Sequence, residues 1–234
     1  MMNFPLLLIF IVFALASWLV SSQLKSRFKT YSMSYLQSGL SGCEVAEKML
    51  RDHGITDVRV QSVSGRLSDH YNPANKTVNL SAEVYNGRSV ASAAVAAHEC
   101  GHAVQHAQAY APLKLRSALV PLQNVSARLL NIIFISMFVG AFLFQNLISF
   151  DLALLVIMAC YGVFTLFAFV TLPVEINATQ RALLWLNRAG ITGGLQQAEA
   201  RDALKWAAYT YVVAALSALA TLLYYVMLFV GRRD

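Results

Sequence analysis

Four stretches of the chain are apolar and uncharged over roughly the 20 residues that a helix needs to cross a bilayer core. They run from Phe4 to Val20, Leu129 to Leu147, Leu152 to Leu172 and Ala207 to Val230. Each predicts a membrane-spanning helix. Between the first and the second the pattern changes period. From Gly42 to His53 the apolar residues Val45, Ala46, Met49 and Leu50 recur at helical spacing, and Gly54 follows as a C-terminal cap. Val58, Val60 and Val63 alternate as a strand does, and so does Thr77-Val78-Asn79-Leu80 after the turn-forming Asn72-Pro73-Ala74-Asn75. From Ser89 to about Ala109 the residues are alanine-rich, with Gly101 the only glycine and no proline, which favours one long helix. Pro173 then predicts a helix start, since proline fits a first turn, and that helix continues past Leu186.

The segments expected from this patterning are an N-terminal membrane anchor at 1–22, a more polar domain at 23–128 that carries the alanine-rich helix, a transmembrane hairpin at 129–172, a helical segment at 173–206, and a last transmembrane helix with its tail at 207–234. Composition agrees with a membrane protein, because 57% of the residues are hydrophobic and only 13% charged. No basic residue precedes the first apolar stretch, whereas Lys25, Arg27 and Lys29 follow it, the reverse of a cleaved secretory signal. Four crossings place residues 21–128 and 173–206 on one side. Of the 18 Lys and Arg residues only Arg232 and Arg233 fall on the other, and 18 minus 2 leaves 16 with the large loop. Basic loops stay in the cytoplasm, so the large loop is expected there, in a multi-pass membrane protein. Juxtamembrane Lys and Arg also account for the net charge of +6 without nucleic acid, which is not an expected partner. The three cysteines, Cys43, Cys100 and Cys160, lie in unrelated contexts and suggest no disulfide framework.

The candidate chemistry lies on the alanine-rich helix. His98-Glu99-Cys100-Gly101-His102 is an H-E-x-x-H motif in the setting that motif requires. Histidines four apart lie one above the other on one helix face, so both rings can reach a single tetrahedral Zn²⁺ at about 2.0–2.1 Å. Glu99 can face a water on that ion and act as general base while the ion lowers the water's pKa to about 7. The duller alternative is a chance pentapeptide with two histidines on a helix surface.

A catalytic zinc usually takes three protein ligands. His106 continues the i, i+4 series, but at 1.5 Å per residue it lies about 12 Å along the axis from His98, too far to share the ion without a turn. Gln105 stands where the H-E-x-x-H-x-x-G-x-x-H pattern has the glycine of such a turn. Glu175, returned to the same side of the membrane as His98, is the other candidate, and an interfacial charge is its alternative role.

These residues together carry a family likeness. The chain resembles the YugP-like neutral zinc metallopeptidases of bacterial membranes, from about Gly39 to the C-terminal end. The likeness runs through Ser68-Asp69-His70-Tyr71-Asn72-Pro73, then Val95 to His106 around the motif, Leu115-Arg116-Ser117, Pro173-Val174-Glu175 and Thr210-Tyr211-Val212. It implies that a Glu-x-x-Ala segment after the transmembrane hairpin, as in the more distantly similar HtpX-type peptidases, supplies the third ligand. That segment maps onto Glu175 and Ala178. The implied fold is an α-helical membrane protein of about four transmembrane helices bearing a small α+β domain like a minimal gluzincin. In such a domain an edge strand holds the substrate backbone above the zinc helix, and Thr77 to Leu80 is the expected strand. The family usually has aspartate where this chain has Asn72 and Asn177, so neither supplies a carboxylate here. Asn177 can still hydrogen-bond a ligand histidine from behind. An oxyanion also needs a donor. His70, Tyr71 and Arg181 are candidates for transition-state or substrate binding, with a core histidine, a packed tyrosine and a headgroup-facing arginine as their ordinary roles.

The functional expectation is a membrane-anchored zinc endopeptidase with one Zn²⁺ per chain, acting on polypeptides associated with the bilayer. Intramembrane proteolysis is disfavoured, because Arg88, His98, Glu99, His102, Gln105 and His106 make the motif helix too polar to span. The alternative from another class is a membrane scaffold or adaptor with a structural zinc. Glu99 argues against it, since a structural site has no use for a carboxylate that does not bind the metal.

Overall fold

The computed structural model describes residues 4–65, 67–143 and 149–232. The chain forms two compact units, Met1–Trp18 with Leu115–Leu172 and Tyr211–Asp234, and Leu19–Lys114 with Pro173–Thr210. Helices α1 (Phe4–Ser32), α5 (Ala111–Leu143), α6 (Phe150–Arg188) and α7 (Gly194–Val230) are long and apolar enough to cross a membrane. The chain is thus a mostly helical membrane protein with a small sheet. Residues 144–147 of the second expected span, and Ile148 in the loop after it, lie outside the described residues.

In the first unit a modest cluster of Leu130, Ile133, Ala153, Leu154, Ile157, Cys160 and Tyr225 joins the helices. Around it Phe10, Ile135, Phe138 and Met227 are mostly exposed. Outward-facing apolar side chains on helices whose backbone bonds close internally are what a lipid environment selects.

The second unit holds the remaining elements, α2 (Gly42–Asp52), β1 (Arg59–Val63), β2 (His70–Asn72), β3 (Thr77–Ser81), α3 (Ala82–Asn86) and α4 (Val90–Ala107). Helix α2 starts on a capping box, in which the Ser41 side chain accepts from the Glu44 amide and the Glu44 side chain accepts from the Ser41 amide. It ends at Gly54, whose φ of +69° suits glycine and closes the last turn with bonds from Gly54 to Arg51 and from Ile55 to Leu50. Val45, Ala46, Met49 and Leu50 are buried on its inner face against Ala93, Ala94, Ala97 and Cys100 of α4. The small side chains of α4 let its neighbours approach from several directions, and fourteen of its residues are buried.

Two expectations are corrected. The strand at Thr77–Ser81 is central, not an edge: the order is β1-β3-β2, with β1 parallel and β2 antiparallel to β3. An alternating sequence reports that a strand exists but not how many partners it has, and here all five residues of β3 are buried. The missed strand β2 is one edge. Pro173 does not start a helix but sits inside α6. An internal proline removes one backbone bond, whereas ending the helix there would leave four carbonyls needing partners.

Candidate metal centre

Two helices build the site. Helix α4 presents His98 and His102 one turn apart, their rings 4.9 Å between centroids and edge to face. Helix α6 crosses it so closely that a Cβ on Gly101 would lie 2.7 Å from the carbonyl oxygen of Ala178. Only glycine permits that approach. Glu175, one turn before Ala178, is thereby brought to the histidines, with Oε2 3.3 Å from His98 Nε2 and 3.5 Å from His102 Nε2. The three donor atoms lie within 4.8 Å of one another, and the group could hold a metal ion.

The spacing can be tested against zinc. Ligand atoms at about 2.0–2.1 Å from a tetrahedral ion lie about 3.3–3.4 Å apart. The Glu175-to-histidine separations match that value, and two imidazole nitrogens with a carboxylate oxygen form a donor set that zinc accepts while keeping one position open.

Neighbouring side chains set the tautomers. The Gln105 side-chain amide donates to the Val174 carbonyl at 2.8 Å and to Asn177 Oδ1 at 3.0 Å, which leaves its oxygen to accept from His102 Nδ1 at 3.0 Å. With Nδ1 committed to Gln105, Nε2 of His102 is the nitrogen left for a metal ion, on the side where Glu175 lies. His98 Nδ1 lies 3.2 Å from the Thr179 hydroxyl, which can do the same for the other ring. Asn177 reaches His102 only through Gln105, and also accepts from Arg181 Nε at 2.7 Å. The sequence did not reveal Gln105 and Thr179 as hydrogen-bond partners of the two histidines. Their signals were weak but present, since Gln105 is three residues after His102 and Thr179 four after Glu175, both helical neighbours.

Glu175 is almost fully buried. Burial pushes its carboxyl up, but the hydrogen bonds and charge of His102 and His98 outweigh that and hold it well below the usual carboxylate range. Burial pushes His102 down, yet Glu175, Glu99 and Gln105 together raise it. The Cys100 thiol, buried beside the motif, is pushed far up and donates to the Ala46 carbonyl at 3.5 Å. It stays a thiol and takes no part in the donor set.

Glu99, also buried, accepts from the backbone N–H of Tyr71 at 3.0 Å. Tyr71 belongs to β2, and its hydroxyl lies 2.7 Å from His106 Nδ1. His106 is therefore engaged with Tyr71 and lies outside the three-residue donor group. His70 is exposed, with Nδ1 2.8 Å from the Ser68 carbonyl. Arg181 donates to Asn177 and, at 2.6 Å, to Gln108, and lies over the ring of Tyr110. Asn72 accepts from the Ala74 amide at 2.9 Å in the turn after β2.

Residues 6–230 match the model of a family described as "Putative neutral zinc metallopeptidase". A curated relative, the "Putative membrane protease YugP" of Bacillus subtilis (strain 168), is 37% identical over 212 residues, which cover 91% of each chain. No solved structure matches the chain. With almost the whole length matched by the family model, the chain belongs to the neutral zinc metallopeptidase family that this description names.

Proposed function

We propose that the chain is a membrane-anchored zinc endopeptidase in which His98, His102 and Glu175 hold one zinc ion and Glu99 is the general base. The carrying observation is the meeting of three donors, with Glu175 Oε2 3.3 and 3.5 Å from Nε2 of His98 and His102, next to the separate carboxylate of Glu99. A zinc ion held there would polarise the scissile carbonyl and acidify a water. Glu99 takes the proton of the attacking water and passes it to the leaving amine, and the Tyr71 amide keeps its carboxylate oriented for both transfers. Gln105 and Thr179 keep the imidazoles turned so that each Nε2 is the free nitrogen. The edge strand beside Glu99 is β2, and an extended polypeptide lying alongside it would run past the base.

The peptidase elements are read as cytoplasmic, on the sixteen basic residues that accompany them, and the substrates as polypeptides at or in the bacterial plasma membrane. The test compares purified wild type with Glu99→Gln. The variant should retain one zinc per chain and lose cleavage, because the ligands remain and the base does not. Full cleavage by Glu99→Gln would end this reading, and retention of zinc without any turnover in wild type would favour the scaffold.

A further inference from the structure

We infer that His106 is a positioning residue for the general base, acting through Tyr71. The inference rests on the reading of Glu99 as base and assigns a role to the one histidine of α4 outside the donor group. Glu99 and His106 lie seven residues apart, two turns along one face of α4 and about 10 Å along its axis. Tyr71 spans that distance: its backbone N–H donates to Glu99 Oε2 at 3.0 Å, and its hydroxyl meets His106 Nδ1 at 2.7 Å. The tyrosine is a strap laid along the motif helix and fastened at both ends.

The strap has something to hold. Strand β2 is three residues long and pairs only with β3, a length too short to place a backbone amide firmly by ladder bonds alone. The approach to it passes through Gly65 and Leu67, both at positive φ, so the preceding loop is not a rigid extension of β1. One end of β2 is anchored by Asp69, which accepts from the Ser81 amide at 2.7 Å and the Ser81 hydroxyl at 3.1 Å. The other anchor is the Tyr71 hydroxyl on His106. His106 is exposed and contributes nothing to the core, so its bond to Tyr71 is what it offers. Without that bond the half-buried ring of Tyr71 keeps only its apolar packing, β2 is held less firmly, and the donor that aims the Glu99 carboxylate gains freedom to move. A misplacement of about 1 Å in a catalytic group can cost around 100-fold in rate.

The experiment uses the full-length chain in detergent micelles, zinc-loaded, with fluorescein-labelled casein as an unfolded polypeptide probe. His106→Ala and Tyr71→Phe should each lower kcat by roughly 10- to 100-fold with KM and zinc content unchanged. The double variant should lose no more than either single one, because both remove the same bond. His106→Gln, whose amide can still meet the phenol, should recover most of the rate. Independently of turnover, amide exchange of metal-free protein should show the Tyr71 N–H exchanging at least tenfold faster in His106→Ala, with α2 and the core of α4 unchanged. Wild-type kcat in both single variants, a loss confined to KM or zinc content, or unaltered exchange at Tyr71 each overturns the inference. Failure of the endopeptidase reading shows differently, as full activity in Glu99→Gln, while the exchange result stands without it.

Discussion

Replacement of Gly101 by alanine tests whether the helix crossing is what brings Glu175 to the histidines. The new methyl would lie 2.7 Å from the Ala178 carbonyl oxygen and 3.2 Å from its carbonyl and α carbons. Comfortable contact begins near 3.4 Å, so α4 and α6 must part by roughly 0.5–0.7 Å. Two stability effects oppose each other. Alanine in place of a helix-interior glycine gains about 0.8–1 kcal/mol, while overpacking of this kind costs about 1–3 kcal/mol. The net loss is therefore small, between roughly 0 and 2 kcal/mol, and the fold should survive. The metal feels the shift more sharply. Glu175 rides on the same helix as Ala178, and its Oε2 now sits 3.3 and 3.5 Å from the two Nε2 atoms. A further half ångström would widen both separations well beyond the about 3.4 Å that a tetrahedral zinc spans between ligands. Zinc affinity should fall by roughly 10- to 100-fold, the range seen when the support of a ligand is disturbed. Competition against a chelator, beside a thermal melt of metal-free protein, measures both quantities. Wild-type zinc affinity together with an unchanged melt would refute the reasoning, because the methyl would then have been accommodated without moving Glu175.

Glu175→Gln keeps the shape but weakens the oxygen donor, and should bind zinc at least tenfold more weakly, while His106→Ala binds it as wild type does; reversal of the two results would make His106 the ligand. Zinc binding should also depend on pH with a definite sign. In metal-free protein His102 is raised above its ordinary 6.5, so the stability from its charged contact with Glu175 is complete below 6.5 and is lost as pH rises through the raised value. Zinc needs the neutral ring, so its affinity should fall about tenfold per unit as pH drops below that raised value, and a flat profile between pH 5 and 8 would contradict the proposed ligand set. The Glu175 carboxylate, held low by the two imidazoles although burial opposes this, should remain charged throughout that range. Orientation is checked by impermeant thiol labelling of intact cells, where a cysteine at Ser149 should react and one at Asn86 should not; the opposite pattern would turn the molecule over in the membrane.

Much of this molecule was readable along the chain, because the deciding interactions are local. Four long apolar stretches predict helices at any position in a fold, since a bilayer demands internally bonded backbone over a fixed thickness. The capping residues and apolar face of Gly42–Asp52, the glycine at 54, and the strands around Val60 and Val78 follow from neighbours within a few residues. That His98 and His102 share one side of a helix is equally local, a matter of 3.6 residues per turn.

What the chain could not settle alone depends on partners far apart in sequence. Whether Thr77–Ser81 is an edge or a centre depends on His70–Asn72, a three-residue strand too short to leave a pattern. Pro173 carries the same signal at a helix start as inside a helix, and the surrounding packing selected the second. Along the chain Glu175 reads equally as an interfacial charge, and only the crossing of α6 on α4 at Gly101 sets it beside the two histidines and makes Gln105 and Asn177 a chain behind His102. The physical reason is one of range: capping and periodicity act over a turn or two, whereas a side chain acquires its chemistry from whatever distant residue the packing of the elements sets against it.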